Sequence, residues 1–430
     1  MEPSQEGSFP IDEREEWNDT IHHSDVFFSS IENGTSRVVL VHRDCRHRRH
    51  CNACLCHCYI SSVVEKEKAA IMSEMQANIG ETLLAWYDQH ARVLPWRGSQ
   101  DPYRIWLSEI MLQQTRVDTV MEYYSKWLMT FPTLQSFAEA DEERVLKKWQ
   151  GLGYYSRVRH FHQAAKHVIK MYGEDYPKDI QQWITLPGVG AYTAAAICSI
   201  AFQQNTPVFD GNVLRVMSRM LAIQEDPKGK KVLKRLQETA KGWMDPHRPG
   251  DYNQAMMDLG ATICLPNGVP KCDKCPLSAF CCIAFSDSWR VIPPKKEKKA
   301  RKVEERTVFI YCVKDKIFLQ KRSEKGLLAS LWELPSVPNS LNEIQSEEHL
   351  VLSQGLIEES VFAEPIFQHI FSHLEWKMKL WVIYLRETPP ELQGVWVNLD
   401  DLTEKYSIPT AFSDVLHWFI TYNEIKIQKT

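Results

Sequence analysis

The spacing of apolar residues separates a helical region from a region of strands. Apolar residues recur every fourth position from Ile71 through Met75, Ile79, Leu83 and Tyr87, and similar patterns continue to about residue 285. This period predicts helices, and glycine and proline separate one from the next. The clearest helical patterns cover 106–127, 142–149, 155–171, 192–202, 212–222 and 251–264.

After Thr307 the apolar period becomes two, which predicts strands. Residues 308–313 and 317–320 flank Lys314-Asp315-Lys316 and predict a hairpin. Further strands are predicted at 380–385 and 395–399, and a helix at 413–422. A mixture of strands and helices of this kind predicts an α+β domain.

These patterns predict four segments. Residues 1–70 keep neither period and are interpreted as a mobile N-terminal tail, and residues 71–289 form an all-helical domain. Residues 290–305, with Pro293-Pro294 and seven basic residues, form a linker, and 306–430 form the α+β domain. At ~150 residues per domain, a chain of 430 residues is long enough for this division.

Composition narrows the class of protein. Apolar residues make up 44% and charged residues 25%, which is ordinary for a folded soluble chain. We expect no membrane segment, because no apolar run reaches the ~18 residues that a span needs, and no secretory signal in the acidic start. The net charge of −4 does not decide nucleic-acid binding, which depends on local basic surface.

The twelve cysteines are clustered, which favours metal ligation over a disulfide framework. Five lie between Cys45 and Cys58, where irregular spacing favours an adventitious cysteine-rich tail over a zinc site. A second group has intervals of seven, two and five residues, which suit a [4Fe–4S] cluster or a zinc ion. Its predicted ligands are Cys264, Cys272, Cys275 and Cys281, with Cys282 as a competitor.

Two segments suggest contacts to nucleic acid and acid catalysis. Gly188 and Gly190 lie just before a helix, and such a turn can bind phosphate through backbone N–H groups, although an ordinary helix–helix turn has the same pattern. Glu109 lies in an apolar helical stretch, where a raised pKa would suit a general acid, although most glutamates lie on solvated faces. Gln113 and Gln114 carry amides that can read base edges.

The sequence resembles the MutY family of adenine DNA glycosylases and its eukaryotic homologues. The resemblance covers residues 79–290 strongly and 307–420 more loosely. It depends on the motifs Leu94-Pro95-Trp96, Ser108–Thr115, Gly151–Arg157, Leu186–Thr193 and Asp210–Val213, followed by the cysteine loop. It implies an all-α helix-hairpin-helix glycosylase domain with a [4Fe–4S] loop and a C-terminal α+β Nudix-like domain.

The resemblance implies removal, after base flipping, of adenine mispaired with 8-oxoguanine or guanine. Glu109 would protonate the base and Asp210 would stabilise the oxocarbenium-like sugar. Tyr192, which replaces the Schiff-base lysine of bifunctional relatives, implies a monofunctional enzyme and, with Asn212, would orient the two carboxylates. The implied DNA or base contacts are Leu94, Trp96, Arg97, Gln113, Gln114, Thr115, Leu152, Tyr154, Gly188 and Gly190.

In the C-terminal domain, Gly326–Ser336 and Phe371-Ser372-His373 resemble the family's lesion-recognition domain. The resemblance implies that Phe371, Ser372 and His373 form a turn that contacts 8-oxoguanine. No glutamate-rich Nudix box follows Pro335, so we expect no Nudix hydrolysis. The chain departs from the family in the first cysteine interval, which has seven residues instead of six, and in a linker without cysteine.

The implied partner is double-stranded DNA with A·8-oxoguanine or A·G mispairs, bound by a monomer. Repair and replication proteins are further candidate partners, although we find no clamp-binding peptide near residue 430. The expected location is the nucleus, with the mitochondrion as a second compartment. Two alternatives stay open: a glycosylase with lyase activity on oxidised pyrimidines, against which Tyr192 argues, and a non-enzymatic iron–sulfur DNA-binding protein, against which Glu109 and Asp210 argue.

Overall fold

The computed structural model describes residues 27–32, 35–40, 78–173, 175–295, 300–341, 345, 356–390 and 392–429. The chain divides into an N-terminal unit, Met1–Ala69, and a larger unit, Ala70–Thr430. In the first unit, β1 (Phe27–Glu32) and β2 (Thr35–Leu40) pair antiparallel, a hairpin that the sequence analysis did not predict. The Cys45–Cys58 group lies outside the described residues, and so do residues 71–77 of the first predicted helix.

The helical region of the larger unit extends from residue 78 to about residue 290. Its helices are α1 (78–90), α2 (Pro102–Leu112), α3 (Val117–Thr130), α4 (Leu134–Glu139), α5 (Glu142–Trp149), α6 (Ser156–Tyr172), α7 (Ile180–Ile184), α8 (Ala191–Ala201), α9 (Gly211–Met220), α10 (Lys230–Trp243) and α11 (Pro249–Thr262). No helix in the described ranges is both long enough and apolar enough to cross a membrane.

Side-chain caps determine where several of these helices begin. Asp101, Asp141 and Asp179 each accept a hydrogen bond from a backbone N–H in the first turn of α2, α5 and α7. Thr133 and Ser136 form a reciprocal capping box at the start of α4. Such caps satisfy donors that the first turn would otherwise leave without partners.

The prediction of one continuous helix over 106–127 was wrong. α2 ends at Leu112 and α3 begins at Val117, with residues 113–116 between them. Gln114 has φ +63°, a left-handed conformation that no α-helix contains. The apolar period continues across this break because both helices bury their apolar faces in the same core, which contains Trp106 and Trp127.

The C-terminal region forms a mixed β-sheet, with antiparallel and parallel strand pairs, and helices flank it. In the described residues the sheet contains β3 (Lys302–Val313), β4 (Lys316–Lys321), β5 (Trp332–Glu333), β6 (Ser336–Pro338), β7 (Ile357–Ile370), β8 (Leu374–Leu385) and β9 (Val395–Asn398). The main order is β5-β4-β3-β8-β7, and β3 and β8 pair in parallel. Helices α12 (Leu399–Lys405) and α13 (Ser413–Lys429) complete the region.

The predicted hairpin at Lys314-Asp315-Lys316 is confirmed, although its turn is tighter than expected. Val313 pairs with Lys316, and Lys314 takes the left-handed conformation with φ +55°. The predicted linker, 290–305, is too long at its end. β3 begins at Lys302, which pairs with Leu374. The first five residues of β3 are exposed or half-buried, and continuous burial begins only at Thr307, which explains why the sequence pattern did not include them.

The two regions contact each other through the segment Gly326–Ser336. Leu331 is fully buried in the core of the helical region, and Leu328 packs against the same core. Two polar contacts also join the regions: Lys321 Nζ lies 2.9 Å from Glu143 Oε1, and Gln150 Nε2 donates to the Ile408 carbonyl at 3.2 Å. The sheet domain is therefore held against the helices by apolar burial and by polar contacts at its rim.

Candidate active site

A cavity of about 680 Å³ lies among the helices, within the range of about 300–1,000 Å³ that small-molecule sites occupy. Its walls come from α2, the 113–116 segment, the start of α6, α8, α9 and α11. The predicted site residues that line it are Leu94, Trp96, Arg97, Glu109, Gln113, Gln114, Thr115, Tyr154, Tyr192, Asp210 and Asn212. Positions far apart in the sequence thus meet in one cavity.

Glu109 is the buried carboxyl group of this cavity, with 5% of its surface exposed. Tyr192 Oη, from the first turn of α8, donates to Glu109 Oε2 at 2.7 Å. Burial raises the pKa of Glu109, whereas the Tyr192 hydrogen bond and the positive charge of Arg97 lower it, and the nearby Asp210 raises it. Burial is the largest of these effects, so Glu109 stays protonated to a higher pH than a glutamate in water does.

Asp210 is the second carboxyl group of the cavity and forms the N-cap of α9. Its Oδ1 accepts from the Val213 N–H at 2.7 Å, and its Oδ2 accepts from Asn212 Nδ2 at 2.8 Å. Asn212 is positioned in turn by Arg215 Nη2, which donates to its Oδ1 at 3.0 Å. Both oxygens of Asp210 therefore have fixed directions, and the carboxylate lies at the positive end of a helix.

Asp258 positions Arg97 and was not among the site residues predicted from the sequence. Asp258 lies in α11, is fully buried, and accepts from Arg97 Nη2 at 2.9 Å and from Arg92 Nε at 2.8 Å. Arg97 Nη1 also donates to Tyr87 Oη at 2.8 Å. A carboxylate inside the apolar stretch of α11 was a signal that could have identified this group, because buried charges require partners.

The glycine turn precedes α8 and places backbone N–H groups at the surface. Leu186 and Val189 are buried and anchor the turn, whereas Gly188 and Gly190 are exposed. Gly188 has φ +73°, and a Cβ there would lie 2.6 Å from His160 Cβ, so the turn requires glycine at this position. The first-turn N–H groups of α8 are available for an anion such as phosphate.

Leu152 does not line the cavity, although it was predicted to contact DNA. It is 5% exposed and packs in the helical core. Its backbone carbonyl accepts from Arg157 Nη2 at 3.0 Å, and Arg157 also donates to the Gln113 carbonyl and to Thr115 Oγ1 in the segment that follows α2. Arg157 is a second residue that the sequence analysis did not assign to the site.

A second cavity, of about 440 Å³, lies between the helical and sheet regions. Its walls include Phe371, Ser372 and His373, which form the turn between β7 and β8. Phe371 packs edge-on against Trp376 at 4.9 Å, whereas Ser372 and His373 are exposed. Tyr154 and Ser156 line both cavities, so the two sites share one wall.

The four predicted cysteine ligands line one apolar cavity together with residues such as Val216, Met220 and Leu277. Burial, with smaller contributions from the other thiols, raises the pKa of Cys275 to about 12. Thiolates crowded in apolar surroundings need cationic partners, so this donor set fits a metal group. Cys282 is exposed and does not line the cavity.

The long first cysteine interval is accommodated by a surface loop. Residues 266–269 are exposed, and Gly268 takes φ +80°. The Lys271 N–H donates to the Ile263 carbonyl at 3.1 Å and closes the loop at its base. The additional residue therefore lies outside the cavity, and Cys264 and Cys272 still face it.

Comparisons with known proteins agree with this architecture. Residues 107–241 match the family model for HhH-GPD superfamily base excision DNA repair proteins, and residues 307–418 match the NUDIX domain model. The fold therefore combines a helix-hairpin-helix glycosylase domain with a Nudix-like domain.

Three curated relatives match most of the chain. The adenine DNA glycosylase of Rattus norvegicus is 37% identical over 80% of this chain and 77% of its own length. That of Mus musculus is 36% identical over 71% and 70%. That of Schizosaccharomyces pombe is 34% identical over 75% and 85%. The chain therefore belongs to the adenine DNA glycosylase family and is a DNA glycosylase of base excision repair.

Proposed function

We propose that this glycosylase removes adenine mispaired with 8-oxoguanine, and adenine mispaired with guanine, by hydrolysing the N-glycosidic bond. The observation that carries the proposal is the pair of carboxyl groups in one cavity, with Glu109 buried and hydrogen-bonded to Tyr192 and Asp210 held by Val213 and Asn212. Two carboxyl groups in different surroundings suit separate roles as acid and as stabiliser of positive charge.

Glu109 acts as the general acid of this mechanism. A base inside a duplex is not accessible, so the adenine must rotate out of the stack into the cavity. Tyr192 donates to Oε2 of Glu109, which leaves Oε1 to carry the proton that is transferred to N7 of adenine. Burial raises the pKa of Glu109, so the carboxyl keeps that proton to a higher pH than a glutamate in water, and protonation makes adenine a better leaving group.

Asp210 stabilises the sugar after the base departs. The breaking bond leaves an oxocarbenium-like positive charge, and a carboxylate with both oxygens already oriented meets that charge without reorganisation. Val213 and Asn212 supply this orientation. Glu109, which has lost its proton to the base, can then assist the attack of water at C1′.

The product of this mechanism is an abasic site in an intact strand. Strand cleavage by a lyase route needs an amine that forms a Schiff base with the sugar. Position 192 carries tyrosine, and no lysine is present among the described residues that line the cavity. The cavity therefore favours a monofunctional enzyme over the bifunctional alternative.

The cavity between the two regions supports reading of the opposite base. The Phe371–His373 turn faces it from the sheet domain, and Tyr154 faces it from the helical domain. The exposed side chains of Ser372 and His373 can hydrogen-bond to base edges that differ between 8-oxoguanine and guanine. The glycine turn before α8 contributes phosphate contacts that position the duplex.

A [4Fe–4S] cluster is the group we propose for the cysteine cavity, with Cys264, Cys272, Cys275 and Cys281 as ligands. The four thiols line one apolar cavity in a loop that follows the helix-hairpin-helix domain, and this setting supports an iron–sulfur cluster over zinc. Such a cluster would fold the loop between α11 and the linker. Arg219 Nη1 supplies a donor 3.3 Å from Cys264 Sγ.

The nature of this group is tested by metal analysis of the purified protein. We expect iron and sulfide with broad visible absorbance, lost in Cys275→Ser and retained in the matched control Cys282→Ser, because Cys282 does not line the cavity. Zinc without iron would contradict the assignment. We also expect loss of the group to weaken DNA binding more than it slows the bond cleavage of bound DNA.

The activity is tested with a labelled duplex that contains one A·8-oxoguanine pair, incubated with the enzyme and divided into two samples. We expect strand scission only in the sample treated with hot alkali, which cleaves abasic sites. Scission without alkali would support the lyase alternative. An intact strand in both samples would reject the adenine activity on this substrate, and a duplex with A·T serves as the control.

A further inference from the structure

Two surface segments of the active-site cavity have unusual backbone conformations. One is the break between α2 and α3, where Gln114 has φ +63°, and the other is the loop before α6, where Tyr154 has φ +46°. Non-glycine residues adopt this region rarely, and they stay there only when surrounding contacts hold them. Both residues line the cavity and both are exposed, so these contacts determine what the cavity presents to DNA.

Arg157, in the first turn of α6, supplies contacts to both segments. Its Nη1 donates to the carbonyls of Ile110 and Met111, at 2.9 and 3.0 Å, and to that of Gln113. These carbonyls lie in the last turn of α2 and at the residue just after it, where the helix itself leaves them without partners. Arg157 thus takes the place of the missing next turn of the helix.

The second amino group of Arg157 faces the other segment. Nη2 donates to the carbonyls of Leu152 and Gly153, at 3.0 and 3.2 Å, and to Thr115 Oγ1 at 3.2 Å. The guanidinium carbon also lies 5.5 Å from the centre of the Tyr154 ring. One planar group therefore connects the residues on both sides of Gln114 with the loop that carries Tyr154.

The surroundings of Arg157 suggest a positioning role instead of an ion pair. Its six oxygen acceptors are all neutral, and burial lowers the pKa of its guanidinium to about 10. Such an arrangement requires a planar guanidinium group, a fork whose two amino groups donate in different fixed directions. The single ammonium group of lysine cannot reproduce it. The charges that act on Glu109 are those of Arg97 and Asp210, so Arg157 can be altered without direct effect on the acid.

We infer that Arg157 is a positioning residue that joins the 113–115 segment and the 152–154 loop into one rigid rim of the cavity. This inference rests on the proposed function. The rim presents Gln114 and Tyr154 to the duplex together, and its rigidity favours the complex in which adenine has left the stack. Loss of the connection lets the two segments move separately, so fewer bound duplexes have adenine in the cavity.

Arg157→Lys tests the inference because it keeps the positive charge and removes the fork. We expect excision from A·8-oxoguanine at saturating enzyme to slow about tenfold or more, with the same pH midpoint as wild type. Arg248→Lys is the matched control, since Arg248 also pairs with two side chains, Asp88 and Asp251, but does not line the cavity. We expect the control to keep the wild-type rate.

Base extrusion is measured separately with 2-aminopurine beside a 2′-fluoro-adenosine, which resists bond cleavage. Fluorescence rises when the neighbouring base leaves the stack. We expect a smaller rise with Arg157→Lys than with wild type or Arg248→Lys, at equal amounts of bound duplex and after correction for the folded fraction. Arg157→Met, which keeps the apolar stem against the Trp149 ring, is the second variant and should show the same defect.

Several outcomes would overturn the inference. These are an unchanged rate and fluorescence rise, a loss that follows only the folded fraction, and a shifted pH midpoint, which would indicate action through Glu109. Failure of both variants to fold would assign Arg157 to folding alone. An inactive wild-type enzyme would instead reject the proposed function, so the two failures are distinguishable.

Discussion

The cavity around Glu109 and the Phe371–His373 turn differ in how firmly their polar groups are held. Glu109 is 5% exposed, and Tyr192 and Asp210 near it have fixed hydrogen-bond partners. Ser372 and His373 are exposed, and their polar contact is with each other, with Ser372 Oγ 3.4 Å from His373 Nδ1. The base of the turn is closed by a backbone hydrogen bond from the Phe371 N–H to the Leu374 carbonyl.

This difference follows from the chemistry proposed for each site. Proton transfer needs a carboxyl group with a raised pKa and a fixed direction, and only burial with oriented partners provides both. To read a base edge, a hydrogen-bond donor must exchange its bound water for an acceptor on the base. An exposed side chain can make this exchange with little reorganisation of the protein. Substitutions should therefore affect the rate in the first site and the preference between substrates in the second.

The largest effect is expected from Glu109→Gln. The amide has no proton to transfer, so excision should slow by at least ~10²-fold while A·8-oxoguanine duplex still binds. Single-turnover rates and binding by fluorescence anisotropy measure the two quantities. Glu122→Gln is the control, because Glu122 is exposed and pairs with Lys126 on α3. Near-wild-type turnover by Glu109→Gln would remove Glu109 from the role of acid.

The second-largest effect is expected on the preference of the enzyme for A·8-oxoguanine over A·G. Ser372→Ala combined with His373→Ala removes the proposed donors to the opposite base, each worth about 1–3 kcal/mol of discrimination. We expect excision from A·8-oxoguanine and A·G to approach equal efficiency, mainly through weaker binding of the former. Rates and affinities for both duplexes test this. If the ratio stays as in wild type, the turn does not read the lesion and the helical domain must do so alone.

A smaller effect is expected from Gly260→Ala. A Cβ at position 260 would lie 2.6 Å from Asn212 Cβ, so Asn212 must shift and its hydrogen bond to Asp210 weakens. A bond to a charged group contributes about 1.5 kcal/mol or more, which corresponds to roughly a tenfold slower excision. Gly211→Ala is the control, with nothing within 4 Å of its Cβ. Equal rates for both variants would show that Asn212 does not orient Asp210.

The smallest effect is expected from Tyr192→Phe, as a change in pH dependence. The Tyr192 hydrogen bond lowers the pKa of Glu109, so its removal raises that pKa further. The protonated acid is present at low pH and is lost as pH rises through its pKa, so the alkaline limb of the rate profile should move to higher pH. Tyr176→Phe, outside the cavity, should leave it unmoved. Movement toward lower pH would contradict the assignment of Glu109.

Local patterns predicted much of the helical domain. The apolar period and the glycine and proline breaks located α5, α6, α8, α9 and α11 to within a few residues, because a helix that buries one face repeats that face along its own sequence. The same reasoning failed between α2 and α3. Arg157, some forty positions away, donates to Gln113 and Thr115 on the two sides of the break at Gln114, and no periodicity shows such a contact.

Sequence motifs also identify the residue types of the site. They do not show how these residues are arranged in space. Glu109 in an apolar stretch, Tyr192 in place of lysine and the four cysteines of one loop were all visible in the chain. Burial raises the pKa of Glu109, and the hydrogen bond from Tyr192, which is 83 residues away, opposes part of that rise. The orientation of Arg97 depends on Asp258, which is 161 residues away, and no sequence motif links the two residues.

Sequence alone therefore specifies the elements and the chemical groups, since helix period, turn glycines and cysteine spacing act over a few neighbouring residues. Tertiary packing decides which groups meet. Tyr154 lies on a wall shared by the active-site cavity and the Phe371–His373 turn because Leu331 is buried in the helical core and brings the sheet domain against it. Such contacts depend on the burial of apolar surface from distant segments, which local sequence patterns do not encode.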